Sequence, residues 1–390
     1  MKDHTPEHGL VVATDAYERW LGEHMALVAD DLALKHRLMA SGSFAFLRGT
    51  AYRWAQRWPV LCRELMSAPP VLAVGDLHVE NFGTWRDAEG RLVWGINDID
   101  EAIQLPYASD LVRLAASAVV ACGEDHLSVA PTEVAEAVLA GYEAVLIAGG
   151  VPFVLAESHG FLRDLAAAAL KDPVRYWEHL LSPPTVEDAD LPAGMAAAVR
   201  AAMPDATVAT RLCRRVAGVG SLGRPRAVVT GTLAGAAVAR EAKVIAPSAW
   251  TWASTPPPDT ATPAQRASAV RTHAATLARL ASTSVRSQDP AWCAEAPWLI
   301  RRLAPDCSRI ELADLPVERD ERRLLRAMGA ETANLHLATA GAAATILADL
   351  RNRPKGWLEA AAETMAEDIR ADHKAWVAYM ADATAAHQPS

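Results

Sequence analysis

The order of two polar segments constrains the fold of this chain more than any other feature. An acidic segment, GDLHVEN, occupies residues 75–81, and a glycine-rich segment, VAGVGSLG, follows at residues 216–223. Asp, Asn and Gly all favour turns, so each segment predicts a loop between regular elements. Any fold proposed for this chain must place these two loops in this order along the sequence.

The acidic segment lies between a predicted strand and a predicted hairpin. The apolar run at 71–74 ends at Gly75, which favours a buried strand, and residues 82–97 form two apolar runs around the turn at 87–90. Asp76 and Asn81 are five residues apart. A kinase catalytic loop has this spacing between the Asp that orients the substrate hydroxyl and an Asn that binds Mg²⁺.

The residues after the hairpin extend this pattern. The sequence NDIDEA occupies 97–102, and Asp98 stands where the chain of a kinase would place its second metal-binding Asp. Asp100 is a candidate for a second metal or for a turn cap. Oxygen ligands of this kind suit Mg²⁺. Two alternatives are an ordinary turn rich in Asp and Asn, and a metallophosphoesterase, whose further GD and GNH-type segments the sequence lacks.

The glycine-rich segment predicts a loop between two strands. It matches GxGxxG, but the following Arg224-Pro225-Arg226 and the Val pair favour a strand rather than the helix of a dinucleotide-binding unit. A loop of this type covers the ATP phosphates in kinases, although an ordinary hairpin turn gives the same pattern. The candidate phosphate-binding residues are Gly218, Gly220, Ser221 and Gly223.

One lysine has the sequence context of a phosphate-binding residue. The lysines of the chain are Lys2, Lys35, Lys171, Lys243, Lys355 and Lys374. Only Lys243 falls in a predicted strand shortly after the glycine loop, where a kinase holds the α- and β-phosphates. Its alternative is a surface lysine. Kinases pair this lysine with a helix Glu, but the predicted helix at 264–282 has none, so Glu241, Glu295 or no partner remain open.

The secondary-structure pattern gives an α+β chain. Helices are predicted at 14–40, 44–66, most of 107–180, 194–203, 264–282 and 319–387, and strands at 71–74, three within 211–246 and a pair around 298–312. Because the acidic loop precedes the glycine loop, we expect a circularly permuted, protein-kinase-like two-lobe fold, with a largely helical C-lobe and a small antiparallel N-lobe. The predicted divisions are a helical extension at 1–70, a catalytic lobe at 71–205, a nucleotide-capping lobe at 206–315 and a helical segment at 316–390.

Several segments together resemble a known bacterial family. SGSFAFLRG at 41–49, GDLHVENFG at 75–83, INDIDEA at 96–102, SDLVRLAAS at 109–117, VAGVGSLG at 216–223 and AKVIAPS at 242–248 are similar to domain-of-unknown-function family 2252. GDLHVEN and NDIDEA, with Asp110 downstream, also look like the aminoglycoside phosphotransferase branch of kinase-like folds. Val244 departs from the family, which usually has Glu after the strand lysine.

The resemblance assigns roles to residues of this chain. It implies Asp76 as catalytic base, Asn81 and Asp98 as Mg²⁺ ligands, Lys243 on the phosphates, and Asp110 in a structural role. Two further residues carry open alternatives. Arg48 either binds phosphate or substrate, or forms a buried salt bridge with a loop Asp. His78 either orients the catalytic loop or contacts substrate.

Composition limits the partners. A net charge of -9 and a pI near 5.8 argue against nucleic acid as the main ligand. The sequence has neither an apolar run long enough for a membrane span nor a signal peptide, and its scattered cysteines suit a reducing cytoplasm. We therefore expect a cytoplasmic ATP- and Mg²⁺-dependent phosphotransferase acting on a small-molecule hydroxyl. AMP transfer on the same fold and a nucleotide-binding pseudokinase without catalysis are the alternatives.

Overall fold

The computed structural model describes residues 9–124, 126–155, 157, 159–169, 172–205, 210–254, 261–283, 285, 287–307 and 320–386. Its described part is α+β, with helices and antiparallel sheets. The helices are α1 Leu10–Gly22, α2 Ala29–Ala40, α3 Ser43–Gly49, α4 Ala51–Leu61, α5 Tyr107–Cys122, α6 Pro131–Ala148, α7 Gly160–Ala169, α8 Pro173–Leu181, α9 Met195–Ala201, α10 Ala249–Ser254, α11 Pro263–Ala281, α12 Glu321–His336, α13 Ala342–Leu350 and α14 Trp357–Ala386.

The described strands form three antiparallel sheets. Two are small: β1 pairs with β4, and β2 pairs with β3 as the predicted hairpin. The third has five strands in the order β5-β6-β7-β9-β8. The strands are β1 Pro70–Ala73, β2 Phe82–Arg86, β3 Leu92–Ile96, β4 Ile103–Pro106, β5 Thr210–Arg214, β6 Arg226–Leu233, β7 Ala236–Val244, β8 Cys293–Glu295 and β9 Trp298–Leu303.

Two parts of the predicted secondary structure are wrong. The single helix expected at 14–40 is two helices, because the chain leaves α1 after Gly22 and the Val28 N–H bonds the carbonyl of Gly223 at 2.9 Å. The strand pair expected around 298–312 pairs β9 with β8, which lies earlier, at Cys293–Glu295. The cis Ala296-Pro297 turn joins them. The second half of the expected pair, 308–312, lies outside the described residues.

The main core surrounds α5. Every residue of α5 from Tyr107 to Ala121 is buried, as expected for a helix that is apolar on all sides. It packs against α6, α14, α3 and β1. A helix in this position can hold its two charged side chains, Asp110 and Arg113, rigidly, and both point into polar contacts described below.

A second core lies under the five-stranded sheet. Met195 and Val199 of α9 pack with Leu212, Val229 and neighbouring apolar residues of β5, β6 and β7. Packing on this face holds the sheet in position. The side chains on its other face therefore have fixed positions relative to one another across β6, β7 and β9. Within the described residues, no helix is both long enough and apolar enough to cross a membrane. The predicted boundaries at 70 and 205 stay predictions, and 315 lies outside the described residues.

Candidate functional site

The acidic segment forms a compact turn held by its own side chains. His78 Nδ1 accepts the Glu80 N–H at 3.2 Å, and Asn81 Oδ1 accepts the His78 N–H at 2.5 Å. The Asn97 N–H then bonds the Asn81 carbonyl at 2.8 Å, which joins this turn to the end of the hairpin. His78 therefore orients the loop, which is one of its two expected roles. The side chains of His78 and Asn81 also line the first of two clefts described below.

Asp110 anchors the strand that leads into this turn. Its carboxylate accepts the backbone N–H groups of Val74 at 2.6 Å and Gly75 at 2.9 Å, and contacts His336 Nε2 at 3.0 Å. The other ring nitrogen of His336 contacts the Tyr142 hydroxyl at 2.7 Å. All these groups are buried, so the contacts agree with the structural role expected for Asp110.

Asp76 forms an ion pair that the sequence did not indicate. Arg113 donates to Asp76 Oδ1 and also to the Leu47 carbonyl at 3.0 Å, while its guanidinium lies 4.7 Å from the centre of the Trp54 ring. Burial and the nearby charges of Glu101 and Asp98 raise the pKa of Asp76 to about 7, although Arg113 opposes this. A carboxyl with such a pKa is suited to proton transfer near neutral pH.

Lys243 reaches from the sheet to the NDIDEA segment that follows the hairpin. Its ammonium pairs with Asp100, so the expectation of Glu241, Glu295 or no partner is wrong about which residue the lysine contacts. Among the described residues, no glutamate pairs with Lys243 in this way, because Asp100, just after the hairpin, lies against β7 and supplies the carboxylate. Helix α11 contributes His273 instead, whose Nε2 donates to the Asp100 carbonyl at 2.8 Å. Burial lowers the pKa of His273 to about 4, so its ring is neutral.

Glu241 is the centre of an arginine cluster on the same sheet. It is 1% exposed and pairs with Arg226 at 2.9 Å, with Arg301 at 2.8 Å, and with Arg215. Burial acts to raise the pKa of Glu241, but the three guanidinium groups outweigh it and hold the pKa well below its ordinary value. Three positive charges share one negative charge here, so the cluster carries an excess of positive charge.

The glycine loop separates two clefts. The first cleft, of about 600 Å³, lies between the loop, the acidic segment and helices α1 to α4. The second cleft, of about 980 Å³, lies between the loop, the arginine cluster and β9. Asp98, Asp100, Gly218 and Ser221 line both clefts, so the two meet at the end of the hairpin.

The structure brings almost all predicted site residues to these clefts. Ser221 also accepts from Arg226 at 2.6 Å, which ties the loop to the arginine cluster. Gly223 lines neither cleft and lies against Leu32 instead. Lys243 lines only the second cleft, Asp98, Asp100, Gly218 and Ser221 line both, and the first cleft is also lined by Arg48, Asp76, His78, Asn81 and Gly220.

Arg48 combines features of both of its expected roles. It forms a salt bridge at 2.5 Å, but the partner is Glu80 of the acidic segment rather than an Asp. Its side chain still lines the first cleft, where it could contact a ligand. The partner differs because Glu80 is the carboxylate that the short turn at Val79–Asn81 directs towards α3.

The sequence carried signals for two residues that we did not predict. Arg113 lies three residues after Asp110, so both charges share one face of an otherwise apolar helix. Lys35 lies four residues from both Asp31 and Met39, and these three form the buried stripe of α2. A charged residue on the buried face of a helix requires a partner or a ligand, and this pattern could have identified both.

The donor set at the meeting point of the clefts suits Mg²⁺. Among the described residues, no group of three or more His, Cys, Asp and Glu side chains is arranged to hold a metal ion. Asp98 and Asp100 supply two carboxylates and Asn81 an amide oxygen with a second lone pair. Mg²⁺ in nucleotide sites is held by one or two carboxylates, with phosphate and water oxygens as its other ligands, so these residues fit it.

Comparisons with known proteins identify a family but no function. No curated protein and no solved structure matches the chain. A family described as uncharacterized protein conserved in bacteria (DUF2252) matches residues 27–150 and 195–379. This match covers most of the sequence, including the acidic segment, the glycine loop and Lys243. The chain therefore belongs to the bacterial family DUF2252.

Proposed function

We propose that this protein is an ATP- and Mg²⁺-dependent phosphotransferase with a circularly permuted kinase-like fold, acting on a small-molecule hydroxyl. The observation that carries the proposal is the Lys243–Asp100 pair. It joins a strand lysine that follows a glycine loop to the NDIDEA segment at 97–102, across 143 residues of sequence. Kinase chemistry requires this combination of lysine, glycine loop, Asp and Asn around one triphosphate.

The second cleft has the charge that a nucleoside triphosphate requires. Arg215, Arg226 and Arg301 line it and share Glu241, while Lys243 lies beside Asp100. Trp292, Leu299 and Leu303 add apolar walls where a base can pack. The nucleotide would therefore lie in the second cleft, with its terminal phosphate at Asp98 and Asp100, where the clefts meet.

The acceptor would lie in the first cleft. Its hydroxyl proton passes to Asp76, the oxygen forms a bond to the γ-phosphorus, and the bond from that phosphorus to the bridging oxygen of ADP breaks. Bound Mg²⁺, held by Asn81 and Asp98, would neutralise charge on the phosphates. Arg113 orients the Asp76 carboxylate, and Lys243 holds the α- and β-phosphates once the nucleotide competes for it.

Nucleotide binding and product analysis test this proposal. Calorimetry should detect Mg-ADP binding to the full chain, weakened by Asp98→Asn and by Lys243→Met. The matched controls are Asp188→Asn and Lys374→Met, because both residues lie on the surface. Turnover with a panel of hydroxyl compounds should then give ADP and a phosphorylated product. Absence of Mg-nucleotide binding to the wild type would refute the proposal.

The same assay separates the two alternatives. Transfer of AMP would release pyrophosphate and increase the acceptor mass by a nucleoside monophosphate instead of a phosphate. Nucleotide binding without any product across the panel would identify a pseudokinase, which the absence of Glu from α11 favours. A cytoplasmic location, where ATP and Mg²⁺ are abundant, stays a prediction, as does the exclusion of nucleic acid as a partner.

A further inference from the structure

Lys35 is a buried cation on the wall of the first cleft. Its side chain lies on the buried stripe of α2 and is 1% exposed. The ammonium lies 5.9 Å from the centre of the Tyr17 ring and 5.6 Å from the centre of the Tyr52 ring. The two rings stack on each other at 4.5 Å, so Lys35 faces an aromatic surface rather than a carboxylate.

The other cations lining the first cleft have acidic partners. Arg48 pairs with Glu80, and Arg224 pairs with Glu101 at 3.1 Å. Within the part of the chain that the structure describes, Lys35 has neither a carboxylate at ion-pair distance nor a hydrogen-bond acceptor. Burial of an unpaired charge is unfavourable, and an anion bound in the cleft would offset that penalty.

We infer that Lys35 binds an anionic group, a carboxylate or a phosphate, on the acceptor molecule. This inference rests on the proposed function and specifies its substrate class. Lys35 shares the first cleft with Asp76, whereas Lys243 and the arginine cluster line the second cleft. The acceptor is thus a small hydroxyl compound with a negative charge, and the rings of Tyr17 and Tyr52 pack against its carbon chain.

The charges around Lys35 keep it a cation at neutral pH. Burial lowers its pKa to about 8; Arg224 acts in the same direction, and Glu18, Glu101 and Asp76 act to raise it. Anion binding should therefore weaken as pH rises through about 8, because the neutral amine loses its attraction for the ligand. Sulfate, whose charge is constant over this range, is the probe for that dependence.

Anion titration of the full chain tests the site without nucleotide. Inorganic phosphate and acetate represent the two possible groups, and each is titrated by calorimetry into the wild type, Lys35→Met, Lys243→Met and the exposed-lysine control Lys374→Met. We expect Lys35→Met to weaken binding by about 10- to 100-fold, the range for hydrogen bonds to a charged group. Lys374→Met should bind as the wild type does, and Lys243→Met should retain the Lys35-dependent part of the binding. Equal binding to Lys35→Met, or a loss confined to Lys243→Met, would overturn the inference.

A second measurement separates this inference from the proposed function. Turnover is compared for glycerol, glycerol 3-phosphate and glycerate, with Lys35→Arg as the charge-retaining variant should Lys35→Met fail to fold. A preference for the anionic compounds that Lys35→Met removes supports the inference. If Lys35→Met lowered turnover equally with neutral and anionic acceptors, Lys35 would act on the transferred phosphoryl group, and the inference would be refuted. If the protein bound anions through Lys35 but bound no nucleotide, the anion site would be supported and the proposed phosphotransferase function would be refuted.

Discussion

Each of the two clefts is lined by one buried lysine, and the surroundings of the two lysines differ. Lys243 lies on β7 and pairs with Asp100, whereas Lys35 lies on α2 and faces two tyrosine rings. Their side chains have similar small exposures, 6% for Lys243 and 1% for Lys35. Burial alone therefore does not distinguish their roles; the partner of each ammonium does.

The difference separates the energetic consequences of the two lysines. The Lys243–Asp100 pair links the sheet to the end of the hairpin, so it contributes to the assembly of the second cleft even without a ligand. Lys35 contributes charge to the first cleft at the expense of stability, as expected where a group serves ligand binding.

The largest expected effect is on turnover through Asp76, which shares the first cleft with Lys35. Asp76→Asn should lower kcat by about 10²- to 10⁴-fold, because the acceptor hydroxyl loses its base. In the wild type, kcat/KM should rise with pH through about 7, because the carboxyl must be deprotonated to act. Initial rates between pH 5 and 9 measure both effects, with Asp188→Asn as the control. A flat pH profile would remove Asp76 from the proton transfer.

The next effect is the stability that the paired lysine supplies. Lys243→Met leaves the Asp100 carboxylate, whose side chain is 13% exposed, without its cation and should lower the free energy of unfolding by about 3 kcal/mol. Adding Asp100→Asn to Lys243→Met should restore part of this loss, because the amide carries no charge. Urea unfolding measures both variants, and the surface variant Lys374→Met should be unchanged. A Lys243→Met protein as stable as the wild type would mean that the pair contributes nothing.

The unpaired lysine should show the opposite sign. Lys35→Met should raise the free energy of unfolding by about 1–3 kcal/mol at neutral pH, because an apolar side chain replaces a desolvated charge. The folded-state pKa of about 8 lies below the ordinary lysine value, so the wild type gains stability as pH rises from about 8 towards 10. The advantage of Lys35→Met should shrink over the same range. Unfolding at several pH values measures this, and a destabilised Lys35→Met would show that Lys35 is structural.

The smallest effect concerns the loop between the two lysines. A Cβ at Gly220 would lie 2.8 Å from the Arg48 carbonyl, so Gly220→Ala should lower the free energy of unfolding by about 1–2 kcal/mol. Gly22→Ala at the end of α1 is the control, because the nearest atom to its added Cβ is 3.8 Å away. Equal thermal stability of the two variants would mean that the glycine loop is free to shift away from Arg48.

Local sequence predicted the elements, but not the contacts between them. The hairpin at 82–97 and the glycine loop between β5 and β6 follow from turn residues and flanking apolar runs, and the structure confirms both positions. The break at 23–28 depends on a bond from Val28 to Gly223, which no local pattern specifies. The circular permutation stays a proposal, because it is defined by comparison with another fold and no solved structure matches this chain.

The same limit applies to the site. Asp76 and Asn81 were identified by their spacing within one short segment and Asp98 by its position after the hairpin, and all three line the first cleft. The partner of Lys243 could not be identified, because Asp100 lies 143 residues away and two glutamates were nearer in sequence. Lys35 was not predicted, because the kinase pattern requires a lysine on a strand, whereas Lys35 lies on the buried face of a helix.

The attachment of the glycine loop to α2 and α3 has a mechanical consequence. Gly220 abuts the Arg48 carbonyl, Gly223 abuts Leu32, and the Gly223 carbonyl accepts the Val28 N–H. The loop therefore cannot move away from the clefts without displacing the helices that hold Lys35 and Arg48. We therefore expect occupancy of one cleft to change the binding affinity of the other.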